Sequence, residues 1–215
     1  MPSHLRLKLF YHFMHPYAAR KRRHRSQWFM DVTNIQRDMS IIDLGGSPMI
    51  WEHVSTPLNI TLVNVHYEEN DRFHAERIRQ HKFQFIQGNA CNVGLPSNSF
   101  DLVFSNSVIE HVGDDKKRAA FAGEVRRLAG KYWVQTPAKY FPIEAHTGMP
   151  FWWYYPENLR RALKRKWSAT LPEWTEMIEG TTVVEKRELQ RILPESTILT
   201  ERALGIAKSY IAYKA

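Results

Sequence analysis

Short apolar blocks of strand length recur along most of this chain, separated by polar stretches that suit helices. Residues 40–44, 59–65, 83–86 and 100–104 read as strands one to four, the third by clear alternation. A short helix is expected from Pro48, because proline is tolerated in a first turn. Residues 70–80 are polar and helix-compatible. Asp114 can cap a helix over 115–129, with Phe121, Val125 and Leu128 on one face and Arg118, Arg126 and Arg127 left outside. Gly130 ends that helix, and Tyr132-Trp133-Val134-Gln135 begins strand five. The rhythm then breaks. Residues 137–174 are rich in aromatics and proline and read as a loop with short helices, forming a lid. A helix over 185–192 restores the rhythm, and 197–202 and 208–213 close the chain as an antiparallel pair. Strands alternating with helices at this spacing predict an α/β fold, a doubly wound, mostly parallel sheet of seven strands with an antiparallel final strand.

Ahead of the first strand, residues 5–28 mix apolar and basic positions at mostly helical spacing, interrupted at Pro16. One or two helices are expected there, the second reaching Gln36. The whole is organised as one domain over 1–215: a helical extension (1–38), a ligand-binding core (39–136), the lid or acceptor region (137–180), and a C-terminal helix and strand pair (181–215).

Composition narrows the function classes. With 215 residues, 43% of them hydrophobic and 13% aromatic, the chain can build a full core. Cys91 is the single cysteine, so an intramolecular disulfide and a cysteine-based zinc cluster are both excluded, as suits a reducing cytoplasm. His12 and His15 could share a helix face, but they lack a neighbouring carboxylate or third ligand, and no metal site is expected. No apolar run approaches the length of a membrane span, and residues 1–17 lack a signal-peptide core. A soluble, cytoplasmic protein is expected, with peripheral contact at the inner face of a membrane left open. The net charge is +8, and residues 1–40 hold eight Lys/Arg against Asp31 and Asp38. Arg20 to Arg25 is either a solvated helical face or an attractor for an anionic substrate, a phospholipid surface or nucleic acid. Nucleic acid is the weakest of these, since none of its usual binding modules is visible.

The chemistry concentrates at Ile41-Ile42-Asp43-Leu44-Gly45-Gly46-Ser47-Pro48, where a buried strand runs into an acid and two glycines. Such a turn, at the carboxyl end of the first strand, is where nucleotide-like ligands settle, and glycines let the backbone approach them. Two later runs join it: Gly88-Asn89-Ala90 after strand three, and Phe100-Asp101-Leu102-Val103 leading to Glu110-His111-Val112. Together these resemble the class I S-adenosylmethionine-dependent methyltransferases, in the small-molecule, type 11-like branch. The resemblance implies a Rossmann-like fold, S-adenosyl-L-methionine as cofactor, and transfer of its methyl group to a small-molecule or glycan acceptor.

It also implies site residues. Asp43, Gly45 and Gly46 take the place of the motif around the cofactor's amino acid moiety, although Ser47 and Met49 stand where further glycines are usual. Asn64 takes the place of the acid that meets the ribose hydroxyls, with Glu68 or Glu69 able to compensate. Asn89 and Ala90 stand at the adenine edge, where Asn89 can alternatively make an Asx turn. Ser105-Asn106-Ser107 lies where donor and acceptor meet, and it is not the N-P-P-Y sequence that holds a planar amide or a nucleobase amine. Methylating a hydroxyl requires proton removal, and histidine is the usual base near neutral pH. His146, with Glu144 two residues away, is the candidate base, and His111 a second. Each can instead serve only to pin its loop. The expected function is therefore methyl transfer to a small-molecule or glycan acceptor, anionic or lipid-linked, oxygen being favoured over nitrogen or carbon. A catalytically degenerate binding protein and a nucleic-acid methyltransferase are the alternatives.

Overall fold

The structure, a computed structural model, describes residues 20–215 except Glu68 and Ala145, and leaves aside the side chains of Glu69 and Glu173. The expected helix start near residue 5, His12, His15 and the compensating role of Glu68 lie outside the described residues. Seven strands form one sheet: β1 (Ser40–Leu44), β2 (Asn59–Asn64), β3 (Lys82–Gln87), β4 (Leu102–Asn106), β5 (Tyr132–Pro137), β6 (Thr197–Ala203) and β7 (Ile206–Lys214). Their order is β3-β2-β1-β4-β5-β7-β6. The pairings from β3 through β5 are parallel, while β7 runs antiparallel to both β5 and β6. The seven-stranded α/β sheet with an antiparallel final strand is thus as expected.

Period-two alternation sends side chains to two core layers. Ile42, Leu44, Val63, Val103 and Val134 pack on one face against Phe121, Val125 and Leu128 of α3 (Asp115–Leu128) and Leu189 and Ile192 of α6 (Lys186–Ile192). Ile41, Ile60, Leu62, Leu102, Phe104 and Trp133 face the other way, onto Phe29 and Trp51. Phe29 belongs to α1, helical over 20–33, and sets its ring edge-on to Trp51, Phe104 and Trp133 at centroid distances of 6.0, 5.0 and 5.5 Å. Asp114 caps α3 as expected, its side chain accepting from the Lys117 amide.

Two expectations change. β4 begins at Leu102 rather than Phe100, because the amides of Asn98 and Phe100 are taken by the carbonyls of Arg127 and Leu128 at the end of α3. Arg118, expected outside, is buried. Its guanidinium pairs with Glu188 at 2.6 Å and also reaches Asp115, the Gly113 carbonyl and the Thr182 hydroxyl. A buried cation persists only when its donors are met in this way, and here the arrangement ties α3 to α6.

After β5, the aromatic segment holds a 3-10 turn at Trp152–Tyr154, then α4 (Glu157–Ser168) and α5 (Pro172–Gly180). Trp152 stacks on Trp167 at 5.5 Å, and Trp167 meets Trp174 edge-on at 5.2 Å. α2 (Glu69–Arg77) completes the helices. Among the described residues no helix is long and apolar enough to cross a membrane.

Candidate functional site

Strand order reverses between β1 and β4, and in open α/β sheets the ligand crevice lies at that point, outside the carboxyl ends of the strands. A cavity of about 400 Å³ lies there, within the range that small-molecule sites occupy. Gly45 lines it after β1, Asn64 and Val65 after β2, Gly88 to Cys91 after β3, and Ser107, Val108, His111 and Val112 after β4, with Lys117 from α3. Gly45 has φ +78°, and a Cβ there would stand 2.5 Å from the Val108 side chain. Gly46 lies directly over the Asp43 carboxylate, 1.8 Å from where its Cβ would be. Asp43 itself is fully buried and accepts the Trp51 indole N–H at 2.8 Å. Its other oxygen has no partner among the described residues, and burial pushes its carboxyl up to about 7. Asn64 accepts the Val65 amide and Asn89 the Cys91 amide, each at 2.9 Å, the latter being an Asx turn.

Beside the cavity, the loop after β5 meets the turn after β4. One oxygen of Glu144 accepts His146 Nδ1–H at 2.8 Å, and the other accepts the amides of His146 and Thr147 at 2.9 and 2.5 Å. His146 Nε2 faces His111 Nε2 at 3.0 Å. His111, on the 3-10 turn Ile109–His111, has its Nδ1 3.2 Å from the Thr181 hydroxyl. Glu110 is buried on the same turn and accepts the Thr136 hydroxyl at 3.0 Å, while its second oxygen has no partner among the described residues. Burial pushes Glu110 up to about 7 and, with the charge of His146, pushes His111 down to about 4. Burial alone would lower His146 as well, but the Glu144 carboxylate outweighs it and lifts the imidazole above its ordinary value. Burial would raise Glu144, yet His146 and the Thr147 donors hold it below the usual carboxylate range. Imidazole fixed by a carboxylate at Nδ1 presents a basic Nε2, the arrangement general bases use.

Residues 45–131 match the family model described as a methyltransferase domain. Over that stretch the chain is similar to a methyltransferase domain. Solved structures share the fold at low identity. An S-adenosylmethionine-dependent methyltransferase from Aquifex aeolicus is 14% identical, with a TM-score of 0.53 over 87% of each chain. A protein from Bordetella parapertussis described as a possible exported protein is 12% identical, with a TM-score of 0.60 over 91% of this chain and 68% of its own. Phosphoethanolamine N-methyltransferase 2 of Haemonchus contortus, solved with S-adenosyl-L-methionine, is 14% identical, with a TM-score of 0.54 over 83% of this chain and 38% of its own. Nothing among the curated protein sequences matches the chain.

The cavity suits S-adenosyl-L-methionine, the donor that the resemblance implies. The left-handed Gly45 keeps the mouth free of a side chain, and the carbonyl and amide groups of Asn64 and Asn89 offer polar partners at two of its walls. Of the residues expected to hold the cofactor, Gly45, Asn64, Asn89 and Ala90 line the cavity. Asp43, Gly46 and Ser105 do not. Asp43 supports the turn from below, and Ser105 is buried within the sheet, its hydroxyl donating to the Leu44 carbonyl at 2.9 Å. Glu144, His146 and His111 come together in a single chain of contacts. Lys117 and Thr181 carry no signal in the sequence, and Glu110 stands out there only beside His111. Nothing in the local pattern announces that Thr181, seventy residues later, reaches the His111 imidazole.

Proposed function

We propose that this methyltransferase acts on a hydroxyl oxygen of a small-molecule or glycan acceptor, with proton removal at the Glu144–His146–His111 array. The bound donor supplies a sulfonium-activated methyl group. Gly45 gives its amino acid moiety a close backbone approach, Asn64 meets the ribose, and Asn89 with Ala90 flanks the adenine. The acceptor oxygen then needs two things from the chain, alignment with the methyl carbon and loss of its proton. Ser107, Val108 and His111 form the wall nearest the array. The segment over 137–180 supplies the acceptor side.

The observation that carries this reading is the 3.0 Å contact between His146 and His111, anchored by Glu144 and adjoining the cavity. An amine acceptor, such as the one in the name of the Haemonchus contortus enzyme, needs no such device. The basic balance of the chain favours an anionic or lipid-linked acceptor.

Release of S-adenosylhomocysteine in the presence of candidate hydroxyl acceptors tests the reading. His146→Ala should cut turnover roughly a hundredfold or more, with donor affinity by calorimetry near wild type. Full turnover in that variant removes His146 from the chemistry and with it the support for oxygen.

A further inference from the structure

The two facing imidazoles carry information about their tautomers. Thr181 gives its single hydroxyl proton to the Met177 carbonyl at 2.9 Å, so toward His111 Nδ1 it can only accept. His111 is thereby held with its proton on Nδ1. Glu144, as a carboxylate, holds the His146 proton on Nδ1 in the same way. With both imidazoles neutral, two bare Nε2 lone pairs would stand 3.0 Å apart, so the occupant is a cation, either a proton on His146 or a metal ion. Two lone pairs at that distance repel unless a cation lies between them.

A carboxylate completes the picture. Glu110, His111 and His146 each offer one ligand atom, all within 4.8 Å of one another. Glu110 is 2% exposed, and one of its oxygens lacks any hydrogen-bond partner among the described residues. An unmatched oxygen in a buried carboxyl is costly unless something absent from the protein itself satisfies it.

We propose that Glu110, His111 and His146 bind one divalent first-row metal cation of the zinc class. The donor set, two imidazole nitrogens and one carboxylate, selects such ions over magnesium or calcium, which prefer all-oxygen shells. Metal–nitrogen bonds of about 2.0–2.1 Å meeting at roughly a right angle span about 3 Å, as the two Nε2 atoms do, with the ion off the line between them and the Glu110 oxygen drawn inward from within 4.8 Å on binding. Glu144 on His146 Nδ1 and Thr181 on His111 Nδ1 are the outer partners that orient ligating histidines. Three protein ligands leave open positions, and His111 is also a wall of the donor cavity, so the site adjoins the place where the acceptor must stand.

What the ion does in catalysis rests on the oxygen-transfer reading; that it binds does not. At an open position it would lower the pKa of the acceptor hydroxyl. With the ion on Nε2, His146 acts through the metal and not as the proton acceptor: the O–H proton leaves to solvent, and the oxygen forms its bond to the methyl carbon. The carbon–sulfur bond breaks with its electron pair on sulfur, neutralising the sulfonium.

The test uses the full chain stripped by chelator, without donor, titrated with Co²⁺ by visible absorption and with Zn²⁺ by calorimetry. One ion per chain at micromolar affinity or better is expected. Glu144→Gln should weaken it by about 10- to 100-fold while leaving the ligands in place. His146→Ala and Glu110→Gln should each lose the Co²⁺ bands, with circular dichroism confirming that the variants fold; should Glu110→Gln fail to fold, His146→Gln replaces it. Absence of binding at millimolar Co²⁺, or wild-type affinity in His146→Ala, overturns the site and leaves a proton on His146 as the occupant. Turnover that survives complete metal removal overturns the catalytic role alone. Tight binding without transfer to any hydroxyl acceptor, metal loaded or not, overturns the oxygen reading and supports the site.

Discussion

At the scale of single residues, the shape of the cavity turns on the backbone at Gly45. Gly45 sits at φ +78°, where an L-residue is strained by about 1–2 kcal/mol, and a Cβ there would press on Val108 at 2.5 Å. Gly45→Ala should therefore lower the melting temperature by several degrees, on the order of 2–4 °C per kcal/mol for a chain of this size. It should also weaken S-adenosylhomocysteine binding at least tenfold, since relieving the contact means moving the cavity wall. Calorimetry beside a thermal melt checks both; unaltered affinity in a destabilised variant would confine Gly45 to the turn. The glycine pair was legible as a tight turn after a buried strand, and only its company with Gly88-Asn89-Ala90 and Glu110-His111 pointed beyond turn geometry. The partners of Asp43 were not. An acid at that position reads equally well as a ligand contact or as a support, and only the fold brings the Trp51 indole to its carboxylate. Likewise Glu110 and His111 are adjacent in sequence, but their meeting with His146 depends on where the loop after β5 turns back, which its aromatic composition does not encode locally.

Among elements, α1 stands out because its basic run is not simply a solvated face. Arg25 pairs with Glu201 of β6 at 2.8 Å and donates to the side chains of Asn106 and Gln135 at 2.8 and 3.4 Å, tying the helix to β4, β5 and β6. Arg25 and Glu201 side chains are only 11% and 4% exposed. Removing one partner strands a buried charge, and Arg25→Met should cost about 3 kcal/mol, seen as a melting temperature lower by roughly 6–12 °C. Burial pushes the Glu201 carboxyl up, but Arg25, the Ser209 hydroxyl and Lys208 pull harder and hold it below its ordinary 4.5. The fold thus binds the ionised form, so this stabilisation is whole above the ordinary value and is lost as pH falls through the lowered one. The stability advantage of wild type over Glu201→Gln should accordingly shrink on acidification below about pH 5 and be constant above it. An advantage that is flat with pH would mean that Glu201 is not ionised in the fold. Charge counting along the sequence could find the basic run, but it could not single out Arg25, whose partner lies 176 residues away.

Over the whole molecule, the strand rhythm was the most legible feature, because the central strands are buried on both faces and stand out as short apolar blocks between polar stretches. The least legible was the aromatic segment after β5, where propensity and periodicity are both weak and tertiary contacts such as Trp152 on Trp167 decide the path. The order of the sheet carries one more consequence. β6 and β7 form a hairpin through Leu204 and Gly205, both at positive φ, as two-residue hairpin turns require. This local unit then closes on β5 through β7 alone. Until it docks, the outer edge of β5, with Trp133 and Val134, is an open row of hydrogen-bonding groups that can template pairing between chains. A Cβ at Gly205 would meet nothing within 4 Å, so Gly205→Val burdens the turn and little else. Refolding of that variant from denaturant should lose yield steeply with protein concentration, while the fraction that does fold binds donor normally. This two-residue turn would then act as the guard against aggregation, setting how much of the protein survives its own folding.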